Sequence, residues 1–313
     1  MPRRWSALPT VVGIAVGGAA LVFVVVAMTS AWSEVHDQIT RASTGWLVAG
    51  LAAAAVAMVW IAGCWSRAFA LVAPESQPER RRVLAWYFAG EIGKYVPGGI
   101  WTVVGRGELA RRSGVAGSLA YASVGLSLAG FYLAGLTVTA MLLPLAALSG
   151  AQPAAALGLL ALLPFGLVLL HPRVLGRGRA VLVRFTGRGH DIALPSWGAT
   201  IGLVVRYVPA WLLICMATWC VARALLPHPP VLRLGVAAML SWWAGLAAVP
   251  VPAGAGVREA TFVALAGLPV GVAATIAVAS RLMFVTVDVL GALCAAPWAV
   301  PAATRAQSDA ATP

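Results

Sequence analysis

Apolar residues run in long blocks along this chain, and polar residues gather between them. The blocks cover residues 8–32, 46–72, 115–148, 153–170, 197–226, 231–249, 260–279 and 282–300. A helix needs about 20 apolar residues to cross the hydrocarbon core of a bilayer. The pattern therefore predicts an all-α polytopic membrane protein with about eight transmembrane helices. The 115–148 block is longer than a crossing requires, and tilt or kinks near Gly125, Gly130 and Gly135 would absorb the excess. The 8–32 block follows a basic start and resembles a signal peptide. It exceeds the roughly 7–15 apolar residues of such a segment, so it reads as the first transmembrane helix. The longest polar stretch, 172–195, reads as a loop.

A ninth apolar stretch, 83–104, breaks the pattern, because it carries Pro97-Gly98-Gly99 at its middle. Arginine bias in the loops sets orientation, since cytoplasmic loops are enriched in Lys and Arg. Arg3 and Arg4 precede the first block, and Arg80, Arg81 and Arg82 follow the second. A full crossing by 83–104 would place Arg106, Arg111 and Arg112 outside. A re-entrant hairpin turning at Pro97–Gly99 keeps them inside. The 172–195 loop is also cytoplasmic by its arginines, and 250–259 returns to that side with Arg258. Arg281 then lies near an external turn, and both termini are cytoplasmic. Non-helical backbone at membrane depth is tolerated only where protein or a water-filled cavity surrounds it, so the Pro-Gly-Gly turn marks a candidate site. A simple helix–loop–helix at the interface is the alternative.

A second interrupted segment, VPVPAGAGVRE, lies in the other half at 249–259. Interrupted segments in corresponding positions of two halves point to a transporter binding site. The halves would be 1–150 and 151–305 of a single integral-membrane domain, with broken segments near 83–105 and 250–259 and a disordered tail at 306–313.

Composition narrows the function. The chain is 61% hydrophobic and only 10% charged, against roughly 25% in soluble domains. No stretch is long enough for a soluble catalytic domain. The formal net charge of +12 comes from loop arginines, which fit membrane orientation and anionic headgroups rather than nucleic acid. Cys64, Cys215, Cys220 and Cys294 lie in apolar blocks without metal-ligand spacing, so neither metal nor cofactor is expected. GxSxG, HExxH and P-loop patterns are absent, and the chain reads as a non-enzyme.

The segments EIGKYVPGGIWTVVGR and PVPAGAGVREA resemble the two signature segments of the lysylphosphatidylglycerol synthase transmembrane-region family, also described as flippase-like. PVPAGAG departs from the family's more usual Gly-Gly pair. The resemblance implies translocation of a phospholipid or lipid-linked substrate, without the aminoacyl transferase domain of the full synthases. Anionic phospholipid or a lipid-linked glycan is the expected partner, the cell membrane the expected location, and an oligomer is compatible with the sequence. The alternatives are a membrane-embedded lipid or glycosyl transferase, an accessory partner of one, or a scaffold.

The candidate substrate-binding residues are Glu91, Lys94, Tyr95, Pro97, Gly98, Gly99, Trp101, Arg106 and Glu108 in the first break. In the second they are Pro252, Gly254, Arg258 and Glu259. Lys94, Arg106 and Arg258 would contact an anionic headgroup, Arg by its planar bidentate fork. Arg106 could instead pair with Glu91 or Glu108. Glu108 and Glu259 would orient their neighbouring arginines. Asp288, an acid inside an apolar block, is a candidate for proton coupling or for a polar helix–helix contact.

Overall fold

A computed structural model describes residues 40, 42–75, 77–96, 99–148, 162–249 and 251–299. The expected first span at 8–32, residues 153–161, the turn residues Pro97, Gly98 and Pro250, and the 306–313 tail lie outside them. Among the described residues the protein is all helical. The helices are α1 (Thr44–Val72), α2 (Arg80–Glu91), α3 (Trp101–Arg112), α4 (Gly117–Leu148), α5 (Leu162–Leu169), α6 (Pro172–Thr186), α7 (Trp197–Leu225), α8 (Val231–Ala247), α9 (Val257–Ala266) and α10 (Val270–Ala299). Short 3-10 turns follow α2 at Ile92–Tyr95 and precede α9 at Pro252–Gly254.

Four of these helices are long and apolar enough to cross a membrane: Thr44–Val72, Gly117–Leu145, Trp197–Leu225 and Val270–Ala299. The described residues therefore bear out a helical membrane protein, while eight spans are not reached among them. Helix α1 runs antiparallel to α7. The Ser43 amide donates to the Ala224 carbonyl at 3.0 Å at one end, and the Ala193 amide donates to the Val72 carbonyl at 3.0 Å at the other. The end holding Val72, the start of α4 and the start of α7 is called here the basic end. An aromatic core ties α4, α7 and α8. Phe131 stacks on Trp211 with centroids 4.5 Å apart, Trp211 meets Trp242 edge-on at 4.8 Å, and the Trp211 indole donates to the Phe131 carbonyl at 2.7 Å.

Three expectations are corrected. The blocks 260–279 and 282–300 are not two spans with Arg281 at an external turn. Helix α9 stops at Ala266, where Gly267 takes a left-handed φ of 64° and Pro269 prevents continuation, and α10 then runs unbroken for 30 residues through Arg281. The break at 250–259 is not a loop at an end of the bundle. It lies within the bundle, between α8 and α9. The polar stretch 172–195 is not all loop, because residues 172–186 form α6, opened by Pro172 and closed by Gly187 at φ 65°.

The two short-helix hairpins share a construction. In α2–α3 the chains cross at Gly90 and Gly105, where a Cβ on Gly105 would lie 3.4 Å from the Gly90 Cα. In α8–α9 the crossing is Gly245 against Gly254, where a Cβ on Gly254 would stand 2.6 Å from the Gly245 Cα. Gly254 also has φ +65°, so any side chain there meets both backbone strain and a collision with backbone that cannot rotate away. Gly254→Ala is expected to cost about 2–4 kcal/mol, combining overpacking with left-handed strain. A fall in thermal midpoint in detergent checks this, with Gly125→Ala, where a Cβ has open space, as the near-neutral comparison.

Candidate functional site

Helices α2 and α3 have 12 residues each, so each extends about 18 Å at 1.5 Å per residue. They start and finish at the basic end, with Arg80–Arg82 opening α2 and Arg111 and Arg112 closing α3. Helix α8 starts at the opposite end, and α9 returns to it, where the Arg233 guanidinium donates to the Leu265 carbonyl at 3.3 Å. The hairpins thus enter from opposite ends and meet turn to turn. A Cβ on Gly99, whose φ is +68°, would lie 3.8 Å from Val249. The two breaks that the sequence separates by some 150 residues are neighbours in space.

Charges gather where the turns meet. Glu91, buried at the end of α2, is the hub. It pairs with Arg106 of α3 and, at 3.1 Å, with Lys94 one turn on. Arg106 is 4% exposed and lies over the Tyr87 ring, 4.1 Å from its centroid. Lys94 also reaches Asp288 of α10 at 2.6 Å, and the Tyr95 hydroxyl donates to the same Asp288 oxygen at 2.7 Å. Asp288 is fully buried, and its second oxygen has no partner among the described residues. Hairpin one is therefore fastened to α10 through a shared carboxylate.

The second hairpin has its own pair. Glu259 caps α9 by accepting from the Gly256 amide at 2.7 Å, and its other oxygen receives Arg281 of α10 at 2.6 Å. Arg281 further donates to the Ala253 carbonyl at 3.4 Å. Arg258, next in sequence to Glu259, faces the other way. Its guanidinium lies 5.2 Å from the Trp242 ring centroid and makes no ion pair among the described residues. A cavity of ≈ 60 Å³ opens here, lined by Lys94, Tyr95, Trp242, Arg258, Glu259 and Arg281, with Ser241 and Ser280 adding hydroxyls.

Lys94, Arg106, Arg258 and Arg281 face only Glu91, Glu259 and Asp288. Among the described residues one positive charge in this partly buried group stays unbalanced, and by its contacts it is the charge on Arg258. A charge out of water needs a partner, so the arrangement suits an anion.

The structure sorts the sequence-derived candidates. Glu91, Lys94, Tyr95, Arg106, Arg258, Glu259 and Asp288 come together. Gly99, Pro252 and Gly254 shape the two turns. Trp101 is exposed and does not line the cavity. Arg106 takes Glu91, not Glu108. Glu108 sits near the basic end, bound to Arg111 at 2.7 Å and Arg112 at 2.9 Å, and these hydrogen bonds hold its carboxyl well below the usual carboxylate range. Nor does Glu259 orient Arg258, because it is committed to Arg281. Glu108→Gln is accordingly expected to leave the thermal midpoint unchanged, in contrast to any change at Glu91.

Sequence reasoning missed Arg281 as a site residue, since a turn was expected there. An arginine standing almost alone between two apolar blocks, with no Gly or Pro beside it, was the signal. It also missed Trp242 and Ser241, which look like any other apolar-span residues. Among the described residues no group of His, Cys, Asp and Glu could hold a metal ion.

No curated protein matches the chain. The profile of the family described as "Lysylphosphatidylglycerol synthase TM region" matches residues 10–296 of the 313. That match takes in both hairpins and every charged residue of the site. The chain is a membrane protein that belongs to the lysylphosphatidylglycerol synthase TM region family.

Proposed function

We propose that this protein carries an anionic phospholipid or lipid-linked substrate between the leaflets of the cell membrane, with the negative headgroup at Arg258. The observation that carries the reading is the uncompensated Arg258 charge in a cavity between two hairpin turns that enter from opposite ends. A guanidinium presents a planar fork matched to phosphate oxygens, and an incoming phosphate would balance the buried group.

In this reading both hairpins are re-entrant, one from each leaflet, as two inverted halves of one domain. Support comes from the first hairpin, whose two 12-residue helices are too short to cross, from the 10-residue return helix of the second, and from the apolar surface of the first turn. Ile92, Val96, Ile100 and Trp101 are all exposed there, as suits lipid rather than water. The basic end is cytoplasmic by the arginine rule, and it receives the end of α10, so the C-terminal side of the chain is cytoplasmic too.

At ≈ 60 Å³ the cavity is far too small for a whole lipid. Only a headgroup would enter, with the acyl chains left in the bilayer. Passage then requires the turns to part, which includes freeing the first from α10, where Lys94 and Tyr95 hold Asp288. Asp288 acts here as a latch. It is the candidate through which coupling would enter.

The test is the purified full chain in vesicles with acyl-labelled lipids of equal chain length, followed by a quencher that cannot cross the bilayer. An anionic analogue is expected to exchange leaflets at least about tenfold faster than a zwitterionic one, one such factor being 1.4 kcal/mol of selective binding. Exchange no faster than in protein-free vesicles would rule out carriage.

A further inference from the structure

Helix α6 (Pro172–Thr186) lies outside the site and has no part in the function proposed above. We propose that it is an in-plane anchor that binds the surface of an anionic leaflet at the basic end of the bundle.

The sequence of α6, PRVLGRGRAVLVRFT, separates its charges from its apolar residues at helical spacing. With 3.6 residues per turn, Arg173, Arg177 and Arg184 fall on one face. Val174, Val181 and Phe185 begin an adjoining apolar face about 80° away, which Leu182 and Leu175 carry round to the side opposite the arginines. Fifteen residues extend only about 22 Å, and four arginines lie among them, so α6 cannot be a crossing helix. Residues 172–188 carry five arginines and no acid. A basic face adjoining an apolar face, at this length, is the pattern of a helix lying in a membrane interface.

Much of the apolar face is left uncovered by the described residues. Phe185 is 80% exposed, the most of any large apolar side chain among the described residues, and Val181 and Leu182 are exposed beside it. The chain holds α6 in place by its other contacts. Arg179 donates to the Ile192 carbonyl at 2.9 Å, and Leu194 packs on Gly176.

Position supplies the second, independent argument. His171, which caps α6, packs against Trp197 at the start of α7, 5.3 Å between centroids. The segment after α6 is tied by Ala193 to the last residue of α1, and by Asp191 to Ser118 in the first turn of α4, at 3.1 Å. So α6 lies at the level where three membrane-length helices begin or end, which is where headgroups must lie. Arg80–Arg82, Arg111 and Arg112 are at the same end. An anionic leaflet answers both faces at once, taking the arginines at its phosphates and Phe185, Val181 and Leu182 just beneath them. A soluble polyanion would leave the apolar face unused.

The experiment uses the full chain in lipid nanodiscs. Val181→Cys carries an environment-sensitive fluorophore, in a Cys294→Ser background because Cys294 is exposed. In discs containing phosphatidylglycerol the probe is expected to emit to the blue, to be quenched from labelled acyl chains, and to be shielded from aqueous iodide. Each arginine near an anionic surface shifts the bound fraction about five-fold. Arg173→Gln, Arg177→Gln and Arg184→Gln together should therefore weaken surface binding by roughly a hundredfold, read as release at much lower salt. The three Lys replacements should retain it. These exposed positions leave the fold intact. The proposal is overturned if iodide reaches the probe equally in anionic and zwitterionic discs, or if the Gln variant holds the blue emission at every salt concentration.

Discussion

Arg258→Gln is expected to lower transfer of an anionic lipid analogue by about 10- to 100-fold, while the protein stays folded. The magnitude follows from losing one hydrogen-bonded interaction with a charged group, roughly 1.5–3 kcal/mol. The fold survives because no carboxylate depends on Arg258, so its removal orphans no counter-charge. The thermal midpoint should hold or rise, since Arg281 loses a like-charged neighbour across the cavity. Arg258→Lys keeps the charge without the fork and should fall between the two. Rates for Arg258→Gln within two-fold of the natural protein would remove Arg258 from the account.

Glu91→Gln should behave in the opposite way and fail in stability before transport can be measured. Glu91 is the shared counter-charge of Arg106 and Lys94, and both it and Arg106 are buried. Breaking a buried pair by removing one partner costs about 3–5 kcal/mol, because an uncompensated charge stays behind. Against a total stability of roughly 5–15 kcal/mol, that is a large part of the whole. The expected readout is a fall of the thermal midpoint in detergent with loss of folded yield. Joining Arg106→Gln to Glu91→Gln should recover part of the loss, since the orphaned guanidinium is then gone. A double variant as unstable as the sum of both singles would show that the pair does not act as a unit.

The contrast between the two arginines was half legible in the sequence. Both follow a Pro/Gly break and both have a Glu nearby, so each could be read as paired or free. What decides is the helical position of a carboxylate that comes from elsewhere. Glu91 lies 15 residues before Arg106 and reaches it only because Gly90 and Gly105 let α2 and α3 touch. Arg281 lies 22 residues after Glu259 and takes it because α10 passes beside α9. Neighbouring letters such as Arg258-Glu259 suggest a pair, yet consecutive residues on a helix point about 100° apart. The turning back of the first hairpin was legible, since a straight run would have carried Arg106, Arg111 and Arg112 away from Arg80–Arg82. The second was not, because its return helix and the start of α10 merge into one apolar block, with only Gly267 and Pro269 to divide them.

Asp288 shows the same limit. Its depth in an apolar block marked it as costly, and cost marks function. That it fastens the first turn to the last helix depends on Lys94 and Tyr95, nearly 200 residues away. If it is the latch that holds the first turn against α10, the cavity should open to each side in turn.

Ser280 lines that cavity one residue before Arg281 and is buried, so a thiol there reports access to the site itself. The measurement is the reaction of Ser280→Cys, in a Cys294→Ser background, with a charged thiol reagent that cannot cross the membrane. The reagent is added from the cytoplasmic side in one sample and from the outer side in another. The account predicts labelling from both sides, slowed by anionic lipid and not by zwitterionic lipid. Labelling from neither side, or from one side alone under every condition, would contradict a site that serves both leaflets.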